Sequence, residues 1–373
     1  MTKEEYRKAI DKVIYLCACA VNGYIPDKEH TASINLEHLY KAACKHNLCA
    51  LVGYALESAG IFDHEFIQAK AKAIRKVTVM EIDKQLLFER FEQEGIWYMP
   101  LKGAIIKDFY PSIGMRQMSD FDILFDSHYQ KKVKDIFLER GFTCKQYCKG
   151  NNDVYYKKPV SNFEMHTGLF APVHQKSIYN YYCDIKQLML KDESNDYGYH
   201  LSSNDFYVYI TAHEYKHYIN GGTGLRSLLD IYVILQKLGT ELDYDYIRTQ
   251  TDKLDITDFE QQNKKLALSL FEGNELSEAD RNMLEYIIFS GTYGTLNNNV
   301  NRKVKQFGGG KEGKQRYILY RVFMPMNKIK DHYPFFYRHK ILIPCLFFYR
   351  LGRAATVSRQ KIKTELKILL KKK

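Results

Sequence analysis

Two aspartates one residue apart, Asp120 and Asp122, lie in the run Arg116-Gln117-Met118-Ser119-Asp120-Phe121-Asp122-Ile123-Leu124-Phe125. From Phe121 to Phe125 this run is apolar except for Asp122, which predicts a strand. Successive strand side chains point to opposite faces, so Asp120 and Asp122 share one face and Phe121, Ile123 and Phe125 the other. Two neighbouring carboxylates repel unless a cation lies between them. Mg²⁺ (or Mn²⁺), held by one or two carboxylates plus substrate phosphates, is the usual solution. Asn162-Phe163-Glu164-Met165-His166 alternates in the same way, with Glu164 and His166 on one face. If that strand pairs beside Phe121–Phe125, Asp120, Asp122 and Glu164 converge. Such a triad can hold two metal ions ~3.5–4 Å apart, one at the attacking oxygen and one at the leaving phosphates. That layout serves phosphoryl or nucleotidyl transfer. Taken alone, Glu164 reads as a solvated residue on an edge strand, and the aspartate pair reverses that reading.

Gly103 falls where a strand turns into a helix, a place where backbone can approach a phosphate closely. Lys102 and Arg116 are candidate phosphate contacts. For Arg116 the competing reading is a salt bridge that orients one of the aspartates.

Two further motifs carry less. His213-Glu214-Tyr215-Lys216-His217 matches the zinc-peptidase helix signature, with both histidines on one helix face. The longer metzincin form needs Gly and His where Asn220 and Thr223 stand, and the bland reading is a helix that lines the substrate cleft with His217 near substrate. Gly308 to Lys314 fits a phosphate-loop frame until Gln315, where a Ser or Thr should bind Mg²⁺, and reads as a basic loop.

The elements that must position these residues follow from pattern. Thr2-x-x-Glu5 is a capping box that opens a helix toward Val21. Residues 1–75 read as helical, and a helix over 77–94 ends at Gly95. Strands are expected at 96–101, 121–125, 143–148, 154–158 and 163–169, with a helix over 129–140. This strand–helix–strand order predicts an α+β or α/β core with a small mixed sheet over 76–200. Helices at 206–218, 225–238, 256–270 and 278–288 make residues 201–337 a second helical region, with loops at 291–315 and 325–334. Residues 338–373 form a basic tail.

The ordered set Leu101-Lys102-Gly103-Ala104, Tyr110-Pro111, Met115-Arg116 and Asp120-Phe121-Asp122 resembles the polymerase-β-like nucleotidyltransferase superfamily. More narrowly it resembles the bacterial "nucleotidyltransferase 5" family over roughly residues 80–350. That family has a Lys-Gly-Ala turn where most relatives have Gly-Ser, then a Glu-x-His strand matched by Glu164 and His166. A later His-bearing helix and an Arg-x-x-x-Asp helix start are matched by His217 and by Arg226 with Asp230. The resemblance implies a metal-dependent nucleotidyltransferase that uses an NTP, and it supplies no acceptor.

Composition frames this. The chain has 373 residues, 45% hydrophobic and 27% charged, ordinary for a globular protein. No apolar run reaches the roughly 18 residues that span a bilayer. The N-terminus lacks the basic start of a signal peptide, and the eight cysteines show no zinc-finger spacing, so a cytoplasmic protein with reduced thiols is expected. Charge is uneven. Residues 338–373 hold eleven Lys/Arg against Glu365, a net of +10 in a chain of +11. Apolar residues at helical spacing (Ile362, Leu366, Ile368, Leu369, Leu370) accompany these charges, so the tail is expected either to pack on the body or to touch an anionic membrane or polyanion. The expected function is Mg-dependent transfer of a nucleoside monophosphate from an NTP to an acceptor. A non-catalytic nucleotide- or partner-binding module with the same fold is the main alternative, and a zinc peptidase is third.

Overall fold

The computed structural model describes residues 1–171, 175–291, 300, 303–304, 306–326, 329–330, 333–356 and 359–370. Contacts divide the chain into two units, residues 1–216 with 224–292, and residues 217–223 with 293–373.

The first unit opens with helices Lys3–Asn22, Leu36–Lys45 and Cys49–Ser58. The capping box forms as expected: the Thr2 hydroxyl accepts from Glu5 N at 3.2 Å and Thr2 N donates to the Glu5 carboxylate at 2.5 Å. A single 30-residue helix, His64–Gln93, follows. Asp63 caps it by accepting from Glu65 N and Phe66 N. No Gly or Pro interrupts this stretch, so the helix runs straight through position 75, where sequence pattern placed a division.

The sheet is mixed, with five strands in the order β1-β2-β5-β4-β3. These are β1 (Tyr98–Leu101), β2 (Phe121–Phe125), β3 (Thr143–Gln146), β4 (Asn152–Lys157) and β5 (Ser161–His166). β2 and β5 are parallel neighbours at the centre, and the other pairs are antiparallel. One sheet face carries Phe121, Ile123, Phe125, Tyr155, Phe163 and Met165, which pack on Val77, Met80, Leu87 and Phe91 of the long helix and on Val133, Ile136 and Phe137 of helix Gln130–Glu139. Phe137 stacks on Tyr155 with ring centroids 4.1 Å apart. This is the period-2 burial expected of strands with one face on a core. The core is an α+β arrangement, as the pattern indicated.

Beyond β5 come helix Lys176–Tyr182 and a hairpin of β6 (Met189–Lys191) and β7 (Tyr199–Leu201). Helices Ser203–Asn220, Leu225–Leu238, Tyr244–Leu254, Thr257–Glu272 and Glu278–Ser290 follow. The hairpin and helix Tyr244–Leu254 had no strong sequence signal.

In the second unit, helix Gly310–Val322 replaces part of the loop expected at 291–315, and residues 311–315 of the phosphate-loop frame are its first turns. No strand precedes it among the described residues. Helices Pro334–Arg338, Ile343–Thr356 and Arg359–Leu370 complete the unit. Leu369 and Ile368 of the tail pack with Val300, Val304, Phe307 and Tyr317. Glu365, the single acid of the tail, is bonded by Tyr317 and by Arg321. Leu366 and Leu370 stay exposed. The side chains of 361–363 lie outside the described residues. No described helix is long and apolar enough to cross a membrane.

Candidate active site

The face of the sheet opposite the core carries the acids. Parallel pairing sets Asp122 in register with Glu164 and Leu124 with His166, while β1 places Leu101 across from Asp122. Asp122, Glu164 and His166 each offer a ligand atom, all within 4.8 Å of one another. Asp120 lies one residue before β2, on the same face by alternation. Sequence pattern expected the metal set Asp120, Asp122 and Glu164. The close group brings in His166 with Asp122 and Glu164.

Lys102 Nζ donates to Asp122 Oδ1 at 2.7 Å, and His166 Nε2 contacts the same oxygen at 2.7 Å. Burial works against the charged form of Asp122, but Lys102 and then His166 outweigh it and hold the carboxyl well below its usual range. Glu164 is bonded by Asn152 Nδ2 from β4 at 2.7 Å. Its carboxyl is pushed up, first by burial and then by Asp120 and Asp122. Asp120 is raised by burial and by Asp122. Burial, followed by the Lys102 charge, lowers the His166 ring below its ordinary value. With Nε2–H on Asp122, the buried Nδ1 has no hydrogen-bond partner among the described residues. Three carboxylates thus gather near Lys102, and Lys216 also acts on Asp122 and Glu164. With oxygen ligands on adjacent strands, this group fits a divalent cation held by Asp122 and Glu164, with Asp120 alongside.

The turn before β2 is held from several sides. Lys102 sits at φ 47°, ψ −121°, a conformation glycine adopts more readily than lysine. This aims Lys102 at Asp122 from the end of β1. Arg116 does not reach toward the acids of β2. Its Nε and Nη2 donate to Asp230 at 2.9 and 2.8 Å, and Tyr110 OH donates to the same carboxylate at 2.8 Å. It forms an ion pair with an aspartate, but with Asp230 of helix Leu225–Leu238 rather than with Asp120 or Asp122. Gly103 is where this arrangement needs glycine, since a Cβ there would lie 2.4 Å from Arg116 Nη1. Around this turn, Arg226 donates to Gln117 O at 3.1 Å, Ala50 N to Gln117 Oε1 at 2.9 Å, and Lys76 Nζ to Ser119 O at 2.7 Å. Three helices therefore fix the entry to the Asp120–Asp122 strand.

In the peptidase-like motif, Glu214 is buried and accepts from Asn263 at 3.0 Å. His213 is half-buried, and His217, in the second unit, is exposed. The close three-ligand group among the described residues includes neither histidine. Sequence reasoning did not single out Asn152, and it named Tyr110 only as part of a motif, without its bond to Asp230. Asn152 pairs with His166 in the β4 register and lies two residues before the strand start that pattern placed at 154. Tyr110 and Asp230 meet across 120 residues, which no local pattern encodes.

Comparison with known proteins finds no significant match to a curated protein or to a solved structure. A family model does match, over residues 32–272. This stretch takes in the long helix, the whole sheet and Asp230, and it begins and ends earlier than the resemblance drawn from motifs. On that match, which covers more than half of the sequence, the chain belongs to an uncharacterised nucleotidyltransferase family.

Proposed function

We propose that this protein transfers a nucleoside monophosphate from an NTP to an acceptor hydroxyl or phosphate. The acceptor oxygen forms a bond to the α-phosphorus, the bond from that phosphorus to the α–β bridging oxygen breaks, and pyrophosphate leaves. The observation that carries this reading is the in-register pair Asp122–Glu164 on adjacent parallel strands, with a ligand atom of His166 within 4.8 Å of theirs. Asp122 and Glu164, with Asp120, would hold Mg²⁺ or Mn²⁺, which supplies charge neutralisation for the triphosphate and the leaving group. Glu164 either completes that metal site or takes the proton of the acceptor hydroxyl as general base. Lys102 supports charge on the phosphates from the turn it caps. Such transfer relies on positioning and electrostatics, with no covalent intermediate on the enzyme.

The test is incubation with each labelled NTP, Mg²⁺ or Mn²⁺, and cell extract. Label should move to an acceptor, and Asp122→Asn should lower the rate by about two to three orders of magnitude, the scale of several kcal/mol of charge stabilisation. No transfer from any NTP, with nucleotide binding unchanged in Asp122→Asn, rules the reading out.

One observation favours a second reading. Lys102 already neutralises Asp122 at 2.7 Å, as a non-catalytic nucleotide-binding module would need. Calorimetry separates the two, since such a module binds NTP without turnover.

A further inference from the structure

The two units differ in charge. Residues 293–373 hold twenty Lys/Arg against Glu312, Asp331 and Glu365, a net of +17, while residues 1–292 carry a net of −6. The basic excess therefore belongs to the second unit as a whole and begins well before the tail at 338.

Within that unit, helix Ile343–Thr356 has its polarity reversed. Pro344, Cys345, Phe348 and Tyr349 are exposed, and at helical spacing they fall within one arc of its surface. Leu346 and Arg350 lie on the opposite side. Leu346 is buried, and the Arg350 guanidinium donates to Arg321 O at 2.7 Å and to Val322 O at 3.0 Å. The one charged side chain described on this helix is thus turned inward to cap helix Gly310–Val322. The residues before the helix continue its apolar face. Ile341 is 93% exposed, Phe348 71% and Phe335 58%. The Phe336 ring joins them, 5.5 Å from the Phe335 ring and 5.9 Å from that of Tyr349. Exposed Arg338, His339 and Lys340 stand between Phe335 and Ile341 in sequence. On the last helix, Leu366 and Leu370 are exposed one turn apart, beside exposed Lys367.

Large apolar side chains gathered in water mark a surface that meets something else. A second copy of the chain would bring another +17 to the same face, and like charges oppose that pairing. RNA matches the charge, but its affinity comes from phosphate pairing and base stacking, which leaves Ile341, Leu342, Leu366 and Leu370 in water. The surface of an anionic bilayer answers both halves of the pattern. Its acyl boundary takes the apolar side chains, and its acidic headgroups take the Lys and Arg around them. At 14 residues the helix is too short to cross a bilayer, so it would lie in the interface plane.

We propose that the second unit docks on the surface of an anionic lipid bilayer through helix Ile343–Thr356 and the residues just before it. Phe335, Ile341 and Phe348 enter the headgroup layer, and Arg338 and Lys340 pair with acidic headgroups. This docking is independent of the transfer reading.

The experiment is co-sedimentation of the full chain with phosphatidylcholine vesicles, with and without phosphatidylserine, at low and at physiological salt. Wild type should bind the acidic vesicles at least tenfold more strongly than the neutral ones, and binding should weaken as salt rises. Ile341→Ser combined with Phe348→Ser should lower binding to acidic vesicles at least tenfold. Its melting curve should match wild type, because both side chains are exposed. Arg338→Gln combined with Lys340→Gln should lower binding several-fold. The inference fails if wild type ignores acidic vesicles at low salt, if it binds neutral vesicles equally, or if the Ile341→Ser, Phe348→Ser protein binds as wild type does. It also fails if that protein melts earlier or breaks up a wild-type oligomer, since the face then packs against protein. Capture of single-stranded RNA at a salt where vesicles are ignored would assign the face to nucleic acid instead.

Discussion

Arg116 and Asp122 are close in sequence and both buried, yet they sit in clusters of opposite character. Around Arg116 charge closes on itself. The guanidinium gives two bonds to Asp230 and one to Met118 Sδ, and Tyr110 adds another to the same carboxylate. Around Asp122 charge does not close. Asp120, Asp122 and Glu164 face Lys102 and His166, and Asp120 and Glu164 are pushed upward, first by burial and then by their neighbouring carboxylates. A balanced buried pair is a structural device, while an imbalance that the fold tolerates marks a place built for something that arrives later.

Breaking the closed cluster should have the largest effect on stability. Arg116→Met leaves Asp230 buried and uncompensated, a loss of about 3–5 kcal/mol. Glu164→Gln removes one charge from the acidic excess and should leave stability unchanged or raised. Urea unfolding measures both, and a Glu164→Gln loss as large as that of Arg116→Met would erase the contrast. Gly103→Ala comes next. Its methyl must displace the Arg116 guanidinium, and overpacking of that kind costs about 1–3 kcal/mol. Because the damage runs through Arg116, the same change in an Arg116→Met background should cost much less, which a double-mutant cycle reads directly.

The smallest effect is one of pH. Glu214 lies near the closed cluster, and its carboxyl is raised well above 4.5, first by burial and then by Asp230. An acid raised in the folded state contributes stability that is complete below its unfolded value and is lost as pH climbs through the folded one. Glu214→Gln can still accept the Asn263 bond. It should therefore be more stable than wild type at pH 8, with the gap closing toward pH 4.5. A constant gap across that range in thermal melts would mean that Glu214 is not the titrating group.

The sheet was legible because alternation is local. Phe121, Ile123 and Phe125 against Asp122, and Phe163 and Met165 against Glu164, declare two faces without any knowledge of neighbours. That the two strands pair could be stated only as a condition, because register between distant strands leaves no local trace. The Arg116–Asp230 pair was out of reach for the same reason, at 114 residues of separation. Helix Ser203–Asn220 hid its inward face differently. Residues 206–212 are all buried, so no single face stands out by hydrophobicity. Helix Gly310–Val322 was hidden by its own glycines and lysines, which read locally as loop.

The parallel pairing of β2 with β5 also has a kinetic side. Parallel strands cannot close through a tight turn, and the chain between these two must first build helix Gln130–Glu139 and the β3–β4 hairpin. Asp122 and Glu164 come together only after that long excursion has folded back, so their meeting belongs to the slow, non-local part of assembly. Nascent or half-folded chains then have no seat to offer a divalent ion. An ion held by this pair would lengthen the lifetime of the native molecule by slowing its unfolding, and would leave the rate at which the chain finds its fold almost untouched.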